Sequence, residues 1–363
     1  MAAKRHKYYL QLNILGLALF LLAMPLFFRL GGGQFAMAEV LPGQVPHGGL
    51  TFSVLTPEEK PVESDTDHVL GREDIQFSQA LAVSPGGRPL SVTEEELRNM
   101  QDFSYLKSNY YIIDSRTALL PGDIDVEQAL SLDFSIPRTT AEPKILIFHT
   151  HSQEGFADSD MSKGLSEGIW GVGEELKRIL EEEYGIGVLH DKGQYDVVNG
   201  KSSITGAYER MEPPIREILA KYPSIEVIID LHRDGVAETT RLVTEIDGKA
   251  CAQVMFFNGL CRLNKNGTPQ PITDLENPYL TENLAFSLQL KTAANSLYPD
   301  FTRKIYLNAY RFSLHMLPRS TLVEVGAQTN TKEEAMNAMK PLAEILAKVL
   351  LSEGSALGHP QGE

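Results

Sequence analysis

Residues 144–154 read KILIFHTHSQE and combine a strand with a cluster of polar side chains. The first five letters are almost entirely apolar, which is typical of a short strand buried on both faces of a sheet. The remaining six place His149, His151 and Glu154 directly after that strand. The segment therefore predicts a buried strand whose carboxyl end carries groups able to bind a metal or to transfer a proton.

Two later segments repeat this order of an apolar run followed by a titratable side chain. Residues 225–235 read IEVIIDLHRDG and lead into His232, and residues 321–326 read TLVEVG and lead into Glu324. Strand-like runs alternate with segments of helical periodicity from residue 141 onward. This alternation predicts an α/β domain with a mostly parallel sheet flanked by helices, whose site lies at the carboxyl ends of its strands.

Further segments complete the predicted order of elements. The predicted strands are residues 144–148, 186–189, 225–231, 241–246, 252–257, 304–307 and 321–325. The predicted helices are one that contains Val172 and ends before Gly185, one that starts at Pro214, one over residues 280–297, and a last one that begins at a capping box of Thr331 and Glu334. Nearer the amino terminus, residues 93–106 predict one short helix and residues 110–113 a strand.

The three strand ends together predict a metal site. The spacing His151-x-x-Glu154 allows an imidazole and a carboxylate to bind one ion across a turn, and a distant His232 completes three protein ligands. Such a set with an open fourth position for water suits catalytic Zn2+. Glu324 is not needed as a ligand, so we predict that it is the general base for the attacking water and then the acid for the leaving amine. The chemistry indicated is metal-assisted amide hydrolysis.

Several assignments around this site stay open at the level of the sequence. Three other carboxylates compete for the place of Glu154 as a ligand: Glu167, Glu174 and Glu175. His149 competes with His151, although its position at the end of the strand favours a role in supporting the ligands. Arg233 is a candidate either for stabilising an oxyanion or for pairing with an acidic side chain. Arg311 and His315 precede the last strand on a predicted loop, and we expect them to contact the substrate or to be plain surface residues.

Charge excludes one class of partner and, at the amino terminus, indicates a membrane segment. The chain has a net charge of −15, which excludes nucleic acid, because nucleic-acid affinity rests largely on neutralising phosphates. Lys4, Arg5 and Lys7 precede an apolar run over residues 10–28, which as a helix would measure about 28 Å, close to the hydrocarbon thickness of a bilayer. We therefore predict a single-pass anchor in the cell membrane, with the remaining chain extracytoplasmic. A signal peptide cleaved after Ala38 is the alternative.

The chain is expected to divide into four parts. They are a cytoplasmic tip and anchor (1–35), an extracytoplasmic spacer with a possible interaction module (36–140), a catalytic domain (141–353) and a flexible tail (354–363). The two cysteines, Cys251 and Cys261, are too few for a cysteine-rich scaffold or a zinc module of four cysteine ligands. They either pair with each other or remain as buried thiols, and burial is the simpler expectation.

At HTHSQE (149–154), DLHRDG (230–235) and VEVGAQTNT (323–331) the chain resembles the stage II sporulation protein P family, the membrane-anchored cell-wall hydrolases of spore-forming bacteria. The resemblance covers residues 141–351. More widely, the chain is similar to zinc-dependent N-acetylmuramoyl-L-alanine amidases. Their second histidine ligand matches His232, and their catalytic glutamate matches Glu324.

One feature departs from the amidase pattern, because the first histidine of these amidases precedes two glycines. In this chain Ser152 and Gln153 follow His151. The resemblance therefore leaves open which local carboxylate completes the zinc set.

The resemblance implies a fold of the zinc amidase and peptidase type (phosphorylase/hydrolase-like) and peptidoglycan as the substrate. It implies cleavage of the amide between the muramic lactyl group and L-alanine, with endopeptidase activity on cross-links. It also implies action at the sporulation septum during engulfment, beside stage II sporulation proteins D and M. Two other functions stay open: a zinc carboxypeptidase-like peptidase, in which Arg233 or Arg241 would bind the terminal carboxylate, and a non-catalytic septal scaffold.

Overall fold

The computed structural model describes residues 92–265 and 267–351. Its helices are α1 (Glu94–Gln101), α2 (Phe103–Tyr110), α3 (Val126–Ser131), α4 (Ile169–Glu182), α5 (Ala207–Lys221), α6 (Leu280–Leu297), α7 (Lys332–Asn337) and α8 (Met339–Leu350). Two 3-10 turns, Met161–Lys163 and Leu165–Glu167, precede α4. The predicted anchor over residues 10–28, the spacer before residue 92 and the tail lie outside these residues. Within the described ranges, none of the helices combines the length and apolar character that crossing a bilayer requires.

Thirteen strands accompany these helices in the described chain. They are β1 (Tyr111–Ile113), β2 (Ile145–Phe148), β3 (Val188–His190), β4 (Val197–Val198), β5 (Lys201–Ser202), β6 (Val227–Asp234), β7 (Val243–Ile246), β8 (Lys249–Ala252), β9 (Val254–Gly259), β10 (Arg262–Lys265), β11 (Thr268–Pro271), β12 (Ile305–Asn308) and β13 (Arg319–Ala327). Seven of them form one sheet in the order β1-β12-β9-β13-β6-β2-β3, and the other six form three separate two-stranded ribbons.

The main sheet is parallel except at one pairing. Strands β9 and β13 are antiparallel, whereas all the other neighbours are parallel. The mostly parallel α/β sheet expected from the sequence is therefore confirmed, with β9, β12 and β1 running in the opposite direction to the rest. Strands β2, β6 and β13 lie side by side, so that their carboxyl ends meet at one edge, as predicted.

Both faces of the sheet are covered by apolar helix faces. One face packs against buried side chains of α4, α6 and α8, which form the largest core together with alternate residues of the strands. The other face packs against α5, whose Met211, Ile215 and Leu219 contact Leu146, Phe148 and Ile228. Strands buried on both faces are nearly continuous in apolar residues, which explains why the run over residues 144–148 was readable as a strand.

Residues 92–140 contribute to the same sheet and core as the residues that follow. Strand β1 pairs in parallel with β12 at the edge of the sheet. Gln289 of α6 donates hydrogen bonds to the carbonyl oxygens of Ala129 and Leu132, and Phe134 packs on Phe286 with ring centroids 5.1 Å apart.

Four element predictions need correction. The helix expected from Pro214 begins at Ala207, because buried Ala207 and Met211 and the hydrogen bonds of Arg210 to the preceding loop stabilise its first turns despite interior prolines. Residues 93–106 do not form one helix, because Asp102 accepts a hydrogen bond from the backbone N–H of Tyr105 and starts a second helix, which runs to Tyr110.

The other two corrections concern a helix and a strand. The last helix keeps its capping box at Thr331 and Glu334 but divides at Ala338, because Pro341 lacks the N–H that would continue one helix. The strand expected over residues 241–246 belongs to a separate hairpin with β8, which turns at Asp247 and Gly248, both at positive φ. Cys251 and Cys261 are both buried free thiols.

Candidate metal centre

Three side chains from two neighbouring strand ends converge on one point. The ligand atoms of His151, Glu154 and His232 all lie within 4.8 Å of one another. Glu154 Oε1 is 3.7 Å from Nδ1 of His151 and 3.4 Å from Nδ1 of His232. Two atoms each bound at about 2.1 Å to a tetrahedral zinc ion are about 3.4 Å apart. The separations of Glu154 from the two imidazoles are therefore close to those of two ligands on one zinc ion.

His232 is oriented by Asp230, which lies two residues earlier on the same face of β6. His232 Nε2 lies 2.7 Å from Asp230 Oδ1, which leaves Nδ1 directed at Glu154. Asp230 is fully buried and also accepts hydrogen bonds from the Thr150 backbone N–H, the Thr150 hydroxyl and the Ser313 hydroxyl. Burial alone would raise the pKa of Asp230, but the charge and hydrogen bond of His232 and the hydrogen bonds from Thr150 lower it.

Asp230 is thus a functional neighbour that the sequence reasoning left in the body of the strand. A carboxylate that orients a metal-binding imidazole is common in such sites. The sequence did contain a signal for this role. Asp230 and His232 are two residues apart in a strand, and such residues point to the same face.

The loop that carries Glu154 is held by hydrogen bonds at both ends. Ser152 donates to Asp196 Oδ1 and the Gln153 N–H donates to Asp196 Oδ2, so the two residues that replace the expected glycines tie this loop to a buried carboxylate. The Arg233 N–H donates to Glu154 Oε2 at 2.9 Å, and Arg233 Nε donates to the carbonyl oxygen of Gly155. Glu154 is therefore fixed at a single position beside the histidines.

The charges of the ligand set stabilise one another. Burial alone would raise the pKa of Glu154, but His232 and the hydrogen bond from His151 hold it below its usual range. Burial would lower the pKa of His232, and the carboxylates of Asp230 and Glu154 raise it well above the ordinary value. Two buried carboxylates, Glu154 and Asp230, thus lie against the His232 imidazole.

Glu324 stands next to this set on the adjacent strand. It pairs with His232 in the register of β13 and β6, so both side chains lie on the same face of the sheet. Its Oε2 is buried and, among the described residues, has no hydrogen-bond partner. Burial, followed by the negative charge of Asp234, raises the pKa of Glu324 well above its usual value, although His232 opposes this. The register of β13 shifts directly after Glu324, and Gly326 adopts φ 58° there.

His149 does not join the ligand set. Its Nδ1 donates to the carbonyl oxygen of Leu231 at 2.6 Å, and its Nε2 lies 2.8 Å from His190 Nε2. Burial, together with the nearby His190, lowers the pKa of His149 to about 3. Gly173 of α4 packs on this pair, since a Cβ there would lie 2.9 Å from both Nε2 atoms. His149 thus links the end of β2 to β6 through its hydrogen bond with Leu231.

The three alternative carboxylates lie in other contacts. Glu167 pairs with Lys332, Glu174 with His190 and Lys192, and Glu175 with Arg178. Among the described residues, Glu154 alone forms a possible metal group with the two histidines. Arg241, a candidate for binding a terminal carboxylate, pairs with Glu334 and donates to the carbonyl oxygen of Thr329.

The loop between β12 and β13 packs against the start of α5 beside the metal centre. Arg311 Nη2 lies 3.2 Å and His315 Nε2 2.9 Å from the carboxylate oxygens of Glu212. Phe312 adopts φ 54°, a strained conformation for a bulky residue, and its ring packs edge-on against Tyr208 with centroids 5.3 Å apart. Arg311 and His315, for which the sequence left a substrate contact and a plain surface position open, both contact Glu212 of α5.

Tyr208 is the second residue of the site that sequence reasoning missed. Its ring packs edge-on against His151 with centroids 5.8 Å apart. Burial raises the pKa of Tyr208 well above 10, and the carboxylates of Asp230, Glu324 and Glu154 add to this effect. No local signal marks it, because the segment before α5 has neither an apolar run nor a motif.

Comparisons with known proteins give a family and several structural neighbours. A sequence model described as Stage II sporulation protein P (SpoIIP) matches residues 88–347. A curated relative from Bacillus subtilis (strain 168), named Stage II sporulation protein P, is 24% identical over 227 residues, which are 58% of this chain and 52% of that protein. The chain therefore spans about half the length of this curated relative.

Solved structures that match the chain have lower sequence identity. An N-acetylmuramoyl-L-alanine amidase from Clostridium difficile 630 is 15% identical, with a TM-score of 0.34, and the match covers 60% of this chain and 99% of that one. The CwlD amidase of Clostridioides difficile, solved with the GerS lipoprotein, is 10% identical with a TM-score of 0.34, over 57% of this chain and 95% of that one. A metallo-carboxypeptidase from Burkholderia cenocepacia is 14% identical with a TM-score of 0.32. The match covers 59% of this chain and 58% of that one.

Proposed function

The chain belongs to the stage II sporulation protein P family, and we propose that it is a zinc-dependent peptidoglycan hydrolase. It cleaves the amide between N-acetylmuramic acid and L-alanine, and also cross-links between stem peptides, during septal wall degradation and engulfment. The observation that carries this proposal is the group of His151, Glu154 and His232 within 4.8 Å, with the unpaired Oε2 of Glu324 on the neighbouring strand.

The ligand set supports zinc through its chemistry. Imidazole and carboxylate donors are typical of catalytic zinc sites, in which three protein ligands leave one position open. When bound by His151, Glu154 and His232, zinc supplies a Lewis acid that polarises the scissile carbonyl and makes water more acidic. Asp230 keeps the His232 imidazole in the orientation that this requires.

The remaining steps belong to the side chains of this chain. Glu324 accepts the proton of the attacking water through its unpaired carboxylate oxygen and transfers it to the departing amide nitrogen. His149 holds the ends of β2 and β6 at a fixed separation through Leu231. Arg233 holds the Glu154 loop.

We further propose that the enzyme acts outside the cytoplasm while held in the cell membrane by a helix over residues 10–28. The basic residues before that run and its apolar length support this location. Stage II sporulation proteins D and M are the proposed partners, on the strength of the family membership.

Mass spectrometry of the products from purified peptidoglycan tests the function. The full chain is incubated with and without a chelator, and zinc is then restored. We expect free stem peptides that begin at L-alanine, lost on chelation and recovered with zinc. Glu324→Gln should release no stem peptides, because it lacks the carboxylate that accepts the proton of water. The exposed Glu333→Gln variant makes the same chemical change away from the site and serves as an active control.

Other products would point to other functions. Fragments cut only within the peptides would favour the carboxypeptidase-like alternative. No release even with zinc and the protein D partner, together with no bound metal, would favour the non-catalytic scaffold and contradict the proposal.

A further inference from the structure

The start of α5 brings a phenol to the metal centre. Tyr208 is the second residue of α5, and its ring lies 5.8 Å from that of His151, centroid to centroid. Three carboxylates, Asp230, Glu324 and Glu154, are close enough to act electrostatically on its hydroxyl. Among the described residues no atom forms a hydrogen bond with that hydroxyl, in contrast to Tyr195 nearby, which donates to Asp191.

Two aromatic contacts restrict the position of the Tyr208 ring. The ring packs nearly perpendicular to both His151 and Phe312. Phe312 in turn packs edge-on against Phe257 with centroids 4.8 Å apart. The strained φ of Phe312 shows that the surrounding structure imposes this arrangement.

The loop that carries Phe312 is anchored near the same point. Arg311 and His315 contact Glu212, which lies one helical turn after Tyr208. Ser313 donates to Asp230, the residue that orients His232. A rigid donor beside a metal centre is the arrangement that stabilises charge as it develops in a transition state.

Arg233, the candidate from the sequence for stabilising an oxyanion, makes other hydrogen bonds. The Arg233 guanidinium donates to the carbonyl oxygens of Gly155 and Asp234, and thereby supports the Glu154 loop. The Tyr208 phenol is another hydrogen-bond donor beside the metal centre, since its ring packs against that of His151.

We propose that Tyr208 is a catalytic residue whose hydroxyl donates a hydrogen bond to the oxygen of the scissile carbonyl. This inference rests on the proposed amide hydrolysis. The water oxygen adds to the carbonyl carbon, and an electron pair of the C=O bond moves onto the carbonyl oxygen. The hydrogen bond from Tyr208 to the carbonyl oxygen then strengthens. Tyr208 keeps its proton throughout, because Glu324 carries the proton from water to the leaving nitrogen.

The Tyr208→Phe variant tests the proposal, because it removes the hydroxyl and keeps the ring contacts. We expect kcat on a soluble muramoyl peptide to fall about 100-fold, as for the loss of one donor to an oxyanion. KM, zinc content and the midpoint of thermal unfolding are expected to stay unchanged. The matched control is Tyr222→Phe, at the far end of the same helix about 21 Å away, which should behave as the wild type.

A binding measurement gives a second readout that does not depend on turnover. An analogue of the muramoyl peptide in which a phosphinate replaces the scissile amide resembles the tetrahedral anion. We expect calorimetry on the zinc-loaded full chain to show about 100-fold weaker binding of this analogue to Tyr208→Phe than to the wild type, in line with the loss of the same donor.

Specific results would overturn the inference. Unchanged kcat and unchanged phosphinate affinity in Tyr208→Phe would remove the hydroxyl from the reaction. Loss of zinc or of thermal stability would show a merely structural role. If the wild type itself releases no stem peptides, the proposed function fails, and the phosphinate comparison still decides whether Tyr208 binds a tetrahedral anion.

Discussion

The two sides of the metal centre differ in how they are built. One side consists of the ends of β2, β6 and β13, where each functional side chain follows an apolar run in the sequence. The other side consists of the start of α5 and the loop between β12 and β13, whose residues meet only through tertiary contacts. The strand side holds the proposed metal ligands and the proposed base, and the helix side holds the proposed hydroxyl donor and the residues that contact it. Our proposals thus assign metal binding and stabilisation of the reacting carbonyl to separate parts of the chain.

The largest expected effect lies on the strand side. Glu324→Gln keeps the size of the side chain but cannot accept the proton of water, so turnover should fall by about 100- to 10,000-fold. Zinc content should be unchanged, because Glu324 is not one of the three ligands. Product release from peptidoglycan and metal analysis of the same sample measure both, with Glu333→Gln as the control. Retained turnover would contradict the assignment of the base, and lost zinc would make Glu324 part of the metal site.

A smaller effect is expected one step away from the metal. Asp230→Asn loses the charged acceptor that orients His232, so zinc affinity should fall about 10- to 100-fold. Thr150→Val is the matched control, since it removes another hydrogen bond to the same carboxylate and leaves His232 in place. Both variants should unfold at lower temperature. Equal zinc affinity in the two would show that Asp230 only stabilises the fold.

The histidine pair gives a prediction about stability. In Gly173→Ala the new methyl group meets the two Nε2 atoms of His149 and His190 at 2.9 Å, so the free energy of unfolding should fall by about 1–3 kcal/mol. Alanine would otherwise favour a helix interior over glycine. Denaturant unfolding of Gly173→Ala in the wild-type and the His190→Ala backgrounds measures this. An equal fall in the free energy of unfolding in both backgrounds would mean that His190 does not limit the side chain at position 173.

The smallest effect tests whether the helix side meets the substrate directly through Arg311. Arg311→Met removes a partly exposed ion pair with Glu212, and we expect the free energy of unfolding to fall by about 0–1 kcal/mol with KM unchanged. Arg216→Met, which removes a pair with the same carboxylate from within α5, is the control. A rise in KM for Arg311→Met alone would restore Arg311 as a substrate contact and weaken the contrast between the two sides.

Sequence alone predicted the strand side because its signals are local. The apolar run over residues 144–148, the pair His151 and Glu154, and the position of His232 can each be read without knowledge of the rest of the chain. The central strands, α4 and α6 were predicted for the same reason, since burial imposes a period on consecutive residues. Glu154 was the one local carboxylate that the structure brings to both histidines, although four had competed.

The helix side could not be predicted in this way. Tyr208 and Phe312 are about a hundred residues apart, and no spacing within either segment indicates that they touch. The prolines of α5 suggested a later start for that helix, which hid its first turn and Tyr208 with it. Two helix divisions also depended on single residues. Pro341 divides the last helix, and Asp102 divides residues 93–106 into two helices. A hydrophobic period does not reveal the effect of one such residue.

The pairing of β13 has a consequence for the time at which the protein becomes active. This strand lies between β6 and β9, yet it is the last of the seven to be synthesised. A nascent chain that ends before residue 319 has an incomplete sheet, with the surface for β13 open, and it has no Glu324. Ribosomes add about 5–20 residues per second, so for some seconds before completion the ligands exist without the base. In the proposed mechanism a chain in this state lacks its base, so hydrolysis cannot begin before β13 has been synthesised.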